Sequence, residues 1–83
     1  MQILFFAALR EQLGCAQIAL ELPSDVATIG QLRTHLCQRG DDWQNALAPT
    51  RAVRAACNQT MAQHDTPVRD CDEVAFFPPV TGG

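Results

Sequence analysis

The sequence predicts an α+β domain, a sheet of about five short strands with one main helix on one face. Three observations predict it. Short apolar or alternating runs stand at both ends and in the middle of the chain. Only one stretch keeps a helical period beyond two turns. Eighty-three residues, 47% of them hydrophobic, are enough for one modest core and no second one.

Residues 1–7 hold Ile3, Leu4, Phe5 and Phe6 in one uninterrupted apolar run, the pattern of a buried strand. Residues 8–13 place Leu9 and Leu13 four apart and stop at Gly14, so a helix of one or two turns ends there on glycine. From 17 to 22, polar and apolar residues alternate and put Ile18, Leu20 and Leu22 on one face of a strand that Pro23 closes. Thr28 and Gln31 have the spacing of a capping box. Behind it Ile29, Leu32, Leu36 and Cys37 recur at helical intervals, which makes residues 29–39 the main helix. Asp41 caps a shorter turn in which Trp43, Ala46 and Leu47 share a core-facing side, and Pro49 breaks it. Residues 52–57 read as a strand with Val53, Ala55 and Cys57 on one side. Asn58-Gln59 is a turn, residues 60–64 a short strand, and residues 73–77 a compact apolar strand halted by Pro78-Pro79.

Six arginines, no lysine and nine acidic residues give a net charge of −3. A nucleic-acid surface needs a basic stripe and none is present. The missing lysine removes Schiff-base chemistry. No uncharged stretch exceeds ten residues, which is short of a bilayer span. The apolar start has no positive charge before it and meets Arg10-Glu11 at once, unlike a signal peptide. The expectation is a cytoplasmic protein that binds neither nucleic acid nor membrane. Cys15, Cys37, Cys57 and Cys71 are scattered, and neither His35 nor His64 has a zinc-ligand spacing from a cysteine pair, so free thiols and no metal are expected. No nucleophile–base constellation and no phosphate-binding loop marks a self-contained enzyme.

The first and last strands are apolar at both parities, Ile3 and Phe5 against Leu4 and Phe6, and Val74 and Phe76 against Ala75 and Phe77. A strand covered on one face alone should alternate with polar residues. Either the small helix covers the second face, or that face, holding Phe6 and Phe77, is an apolar patch awaiting a partner. The second reading is favoured, because two phenylalanines beyond a filled core exceed what a monomer needs.

Residues 80–83 follow the proline stop as a flexible Gly-Gly tail, with residues 1–79 as the domain. At the rise of an extended chain, the last five residues project about 15 Å from the sheet. Gly82 and Gly83 lack a Cβ, so this end can enter a narrow channel. From Asp70 onward there is no positive side chain, and a receiving site is expected to be basic.

The run Asp70-Cys71-Asp72-Glu73-Val74-Ala75-Phe76-Phe77-Pro78-Pro79-Val80-Thr81-Gly82-Gly83 resembles the C-terminus of the small, sulfur-carrier subunits of molybdopterin synthase, within the ubiquitin-like β-grasp superfamily. Cys71 stands where that family has glycine. Residues 3–7, Leu9-Arg10-Glu11 and Asn58-Gln59-Thr60 are similar as well, whereas residues 24–50 match in pattern alone. The resemblance implies a β-grasp fold with a mixed sheet. It also implies a carrier whose terminal glycine is adenylated with ATP by a ubiquitin-activating-like adenylyltransferase. A sulfur donor protein then converts the adenylate to a thiocarboxylate, which delivers sulfur to a cyclic pyranopterin phosphate and builds the dithiolene of the molybdenum cofactor. In that carry-over Gly83 is the activated residue and Gly82 the clearance residue. Phe6, Met61, Phe77, Pro78, Pro79, Val80 and Thr81 meet the large subunit, in an assembly of two small and two large chains. No cofactor is held permanently, and the catalytic pocket belongs to the large subunit. A thiamine-pathway sulfur carrier and a ubiquitin-like protein modifier are the alternatives. The Phe-Phe-Pro-Pro-Val run argues against the thiamine-pathway carrier.

Overall fold

A computed structural model describes residues 1–79 except Cys71. Along the chain come β1 (Gln2–Phe5), α1 (Ala7–Leu13), β2 (Gln17–Ala19), α2 (Ile29–Cys37), α3 (Asp41–Leu47), β3 (Arg54–Cys57), β4 (Thr60–Ala62) and β5 (Glu73–Phe77). The five strands form one mixed sheet in the order β2-β1-β5-β3-β4. Strand β5, last in sequence, lies in the middle, parallel to β1 and antiparallel to β3. The pairs β1–β2, joined through α1, and β3–β4, joined by a tight turn, are antiparallel.

Local chemistry sets the element ends. Gly14 caps α1 in the left-handed region at φ 72°, its N–H donating to Arg10 O at 2.9 Å. Asn58 and Gln59 both have positive φ, 50° and 69°, the geometry of a two-residue hairpin turn matched to strand twist. At the N-terminus of α2, Thr28 Oγ1 accepts from Gln31 N–H as the capping box predicts. Gln31 Oε1 reaches one residue further back than such a box usually does, accepting from Ala27 N–H at 2.7 Å. The Ile29 and Gly30 amides donate to Thr66 O and His64 O, so the first amides of this helix are all satisfied by protein groups. Several ends differ from expectation: α2 stops at Cys37, β3 begins at Arg54 and β4 stops at Ala62. The cap of α3 is Gly40, with Asp41 and Asp42 in the first turn, where carboxylates favour the helix dipole. Strand β2 ends at Ala19, although Leu20 N–H still donates to Met1 O.

All three helices lie on one side of the sheet. Ile3, Phe5, Val74 and Phe76 from the central strands meet Leu9 of α1, Ile29, Leu32 and Leu36 of α2, and Ala46 and Leu47 of α3 in one buried cluster. Trp43 belongs to this layer, its ring edge-on to Phe5 at 5.4 Å and the Arg39 guanidinium 4.7 Å above it. Arg33 ties the layer together. Its guanidinium donates to Leu47 O, Ala48 O and Arg51 O, satisfying carbonyls at the end of α3 and in the following loop.

A second hook aligns β5 with the β3–β4 turn. The Asp72 carboxylate accepts from Asn58 Nδ2 and Arg69 N–H, and Asn58 Oδ1 accepts from Glu73 N–H. The Asn58 bond first, then the Arg69 amide, hold the Asp72 carboxyl below the usual aspartate range.

Two outcomes follow. Leu32 is fully buried, so Leu32→Ala should cost about 2–5 kcal/mol by urea denaturation; a loss under half a kcal/mol would mean the cluster does not hold α2 to the sheet. Because Asp72 has a depressed folded pKa, its contribution is present above the unfolded pKa near 4 and is lost as pH falls through the lower folded value. Asp72→Asn should therefore lower the denaturation midpoint at pH 7 and flatten its decline between about pH 5 and 2. Parallel wild-type and variant curves would remove Asp72 from the acid transition.

Candidate functional site

With the helices gathered on one side, strand parity decides what the other side presents. Ala55 pairs with Phe76 and Ile3 with Val74, and all four are buried in the core. Their neighbours Leu4, Ala75, Ala56 and Arg54 therefore face away from the helices, as do Phe77 and Met61. The register places Leu4, Ala75, Ala56 and Met61 in one row across four strands, an apolar band about 14 Å wide at the usual strand spacing. Phe6 follows β1 in an extended conformation and donates its N–H to Phe76 O, which sets it beside Phe77.

Exposure confirms the assignment. Phe6 is 47% and Met61 58% exposed, and these are the two large hydrophobic residues left open among the described residues. Phe77 is half-buried, while Phe76 one residue earlier is 1% exposed. Phe6, Met61 and Phe77 are thus brought to one face. The small helices do not cover it, so the second face of these strands is open. Pro78 and Pro79 continue from β5 at the Phe6–Phe77 end and are half-buried. Val80, Thr81, Gly82, Gly83 and Cys71 lie outside the described residues.

The remaining chemistry is sparse. Cys15 and Cys37 are free thiols, and the Cys57 thiol donates to the Asp72 carboxylate. Burial pushes the Cys37 thiol up, against a smaller pull down from Arg33, which makes it a poor thiolate. No cluster of three His, Cys, Asp or Glu side chains able to hold a metal occurs among the described residues. A cleft of about 360 Å³ runs along α2 past Arg33, Cys37, Leu47 and His64, on the helical layer and not on the open face. No helix among the described residues is long and apolar enough to cross a membrane.

The family model described as the ThiS family matches residues 3–83. The chain belongs to the ThiS family. Two curated relatives of this ThiS-family chain, from Escherichia coli K12 and Haemophilus influenzae, are each named molybdopterin synthase sulfur carrier subunit. Each is 46% identical over 83 residues, covering all of this chain and 99% of the relative. Among solved structures, the Haloferax volcanii HVO 2177 protein superposes with a TM-score of 0.77 at 29% identity, covering 99% of this chain and 84% of that one. A Pyrococcus furiosus protein titled putative molybdopterin converting factor, subunit 1, shares the fold with a TM-score of 0.77 at 24% identity over 95% of both chains. The ubiquitin-like β-grasp architecture expected from the C-terminal motif is therefore the observed one.

Adjacent phenylalanines give the cleanest check on the two faces. Phe77→Asp should leave the circular dichroism spectrum native, whereas Phe76→Asp should abolish it, since an unpaired carboxylate in the core costs several kcal/mol. Equal unfolding by both variants would put Phe77 in the core and close the face.

Proposed function

We infer that this chain is the sulfur-carrier subunit of a molybdopterin synthase, the small partner of a large catalytic subunit. The observation that carries the reading is the apolar face left open at the root of the Pro78-Pro79 segment, in a chain 46% identical end to end to proteins named for that role. Residues 1–79 act as the docking domain and residues 80–83 as the reactive tail.

Division of labour follows from the chemistry. A carboxylate resists nucleophilic attack because its charge is delocalised. Activation therefore comes first: a Gly83 carboxylate oxygen attacks the α-phosphorus of ATP on a ubiquitin-activating-like adenylyltransferase, and pyrophosphate leaves. A persulfide on a donor protein then attacks the acyl carbon and AMP departs, leaving an acyl disulfide; a second donor thiol attacks the donor-side sulfur of that bond, which releases the thiocarboxylate and leaves the donor as a disulfide. ATP is consumed by the activating enzyme, and this chain carries only the sulfur. The thiocarboxylate delivers that sulfur to the pyranopterin phosphate within the large subunit's pocket. Gly82 provides clearance for the passage, and Val80 and Thr81 line it. Docking rests on Phe6, Met61 and Phe77 with Pro78 and Pro79, in a complex of two small and two large subunits working in the cytoplasm. The cysteines take no part. Cys37 is buried with a raised pKa, consistent with a packing role.

Docking and chemistry should separate on deleting Gly83. The shortened chain keeps the open face and should bind the large subunit with wild-type affinity by calorimetry. It should support neither ATP–pyrophosphate exchange nor the mass gain of one oxygen replaced by sulfur, because a reacting carbon misplaced by about 1 Å already loses on the order of a hundredfold in rate. Exchange that survives the deletion would show that Gly83 is not the chemical end and would overturn the carrier reading.

A further inference from the structure

The open face is polarised as well as apolar. Among its strand residues only Arg54 and Glu73 are charged. Arg54 is exposed and stands directly opposite Phe77 in the β3–β5 register, at the end where Pro78 leaves the sheet. Glu73 lies opposite Gln2 at the far end of β5, four residues away, about 13 Å at the strand rise and beyond pairing distance. Opposite charges on a sheet usually sit across from one another. Here the apolar row of Leu4, Ala75, Ala56 and Met61 separates them, and the Arg54 side chain has no hydrogen bond or ion pair among the described residues.

This arrangement bears on whatever covers the face. An arginine opposite an aromatic ring can lay its stem along the ring and keep its guanidinium at the margin. A partner that buries Phe77 must also dehydrate that guanidinium, and burying it unpaired is strongly unfavourable. We propose that Arg54 is a positioning residue for the large subunit, which meets it with a carboxylate beside the opening that receives the tail. The inference rests on the carrier reading above and adds one interaction to it. An apolar band tolerates rotation of the partner about the face normal. A single cation at one end of the band removes that freedom and aligns the tail with its opening.

The test measures affinity for the large subunit at about 0.05 and 0.5 M salt, conditions in which charge pairs are weakly and strongly screened. At low salt Arg54→Gln should bind about two- to fivefold more weakly and Arg54→Glu more than about tenfold. Both gaps should shrink at high salt, and the salt dependence of Arg54→Gln should be shallower than wild type. Arg54→Lys should restore most of the salt dependence. Arg39→Gln, the same charge change beside Trp43 in the helical layer, should leave affinity at the wild-type value. Arg54 variants with wild-type affinity and salt dependence would overturn the inference, and so would a loss equal at both salt concentrations, which would mark packing by the stem alone. If Phe77→Asp still weakens binding in either case, the carrier reading stands and only Arg54 is removed from it. A folded Phe77→Asp that binds like wild type would remove the docking face, and the Arg54 inference with it.

Discussion

The register of β5 is the constraint on which the rest of this molecule depends. The strand is threaded between β1 and β3, parallel to one and antiparallel to the other, and offers Val74 and Phe76 to the core and Ala75 and Phe77 to the opposite face. A slip of one residue would exchange the two sets, exposing Phe76 and burying Phe77. Two devices hold the register at its start. The Asp72–Asn58 hook aligns Glu73 with the β3–β4 turn, and Gln2 N–H donates to Asp72 O on the other side. Proline at 78 and 79 stops the ladder at its end by removing the backbone donors.

Given that register, the helices have a single place to go. Leu9, Leu32, Leu36 and Leu47 can be buried only against Ile3, Phe5, Val74 and Phe76, so α1, α2 and α3 collect on one side. That layer is internally satisfied. Loop carbonyls and Thr28 close the amides at the start of α2, and Arg33 closes carbonyls at the end of α3. No buried side-chain nitrogen or oxygen among the described residues is left without a partner. Stability is thereby concentrated in one half of the molecule, and the other face of the sheet is free to carry apolar surface that a lone domain does not need.

This separation explains why a carrier can be small. On the reading proposed above, chemistry at the carboxyl terminus asks of the chain only a face that a partner can grip and a tail that follows from its edge. Phe6, Phe77 and Pro78 lie side by side at one end of the open face. Helix α1 begins immediately after Phe6, with Ala7 at φ 53° making the bend that turns the chain back toward the core. Phe6 is thereby left at the margin of the sheet.

Most local elements were readable from the sequence, because each rests on interactions within a few residues. Gly14 ends α1, Thr28 and Gln31 open α2, and Asn58-Gln59 turns β3 into β4 for reasons of backbone geometry that need no distant partner. The cap of α3 was misplaced by one residue, since aspartate serves equally at the cap and in the first turn, and only the position of Gly40 decides between them. The specific C-terminal run also carried the family. What the sequence left open was which face of a doubly apolar strand is covered. Phe76 and Phe77 are the same residue type in adjacent positions, and nothing local tells them apart. Nor does any short-range signal place Arg54 opposite Phe77 or Met61 in line with Leu4, residues brought together only when β5 inserts between β1 and β3. By itself the sequence determined the elements and most of the signals that bound them, because those depend on neighbours along the chain. The open face and its polarity were decided by the tertiary structure, because they depend on pairing between strands far apart in the chain, such as Leu4 with Ala75 and Arg54 with Phe77.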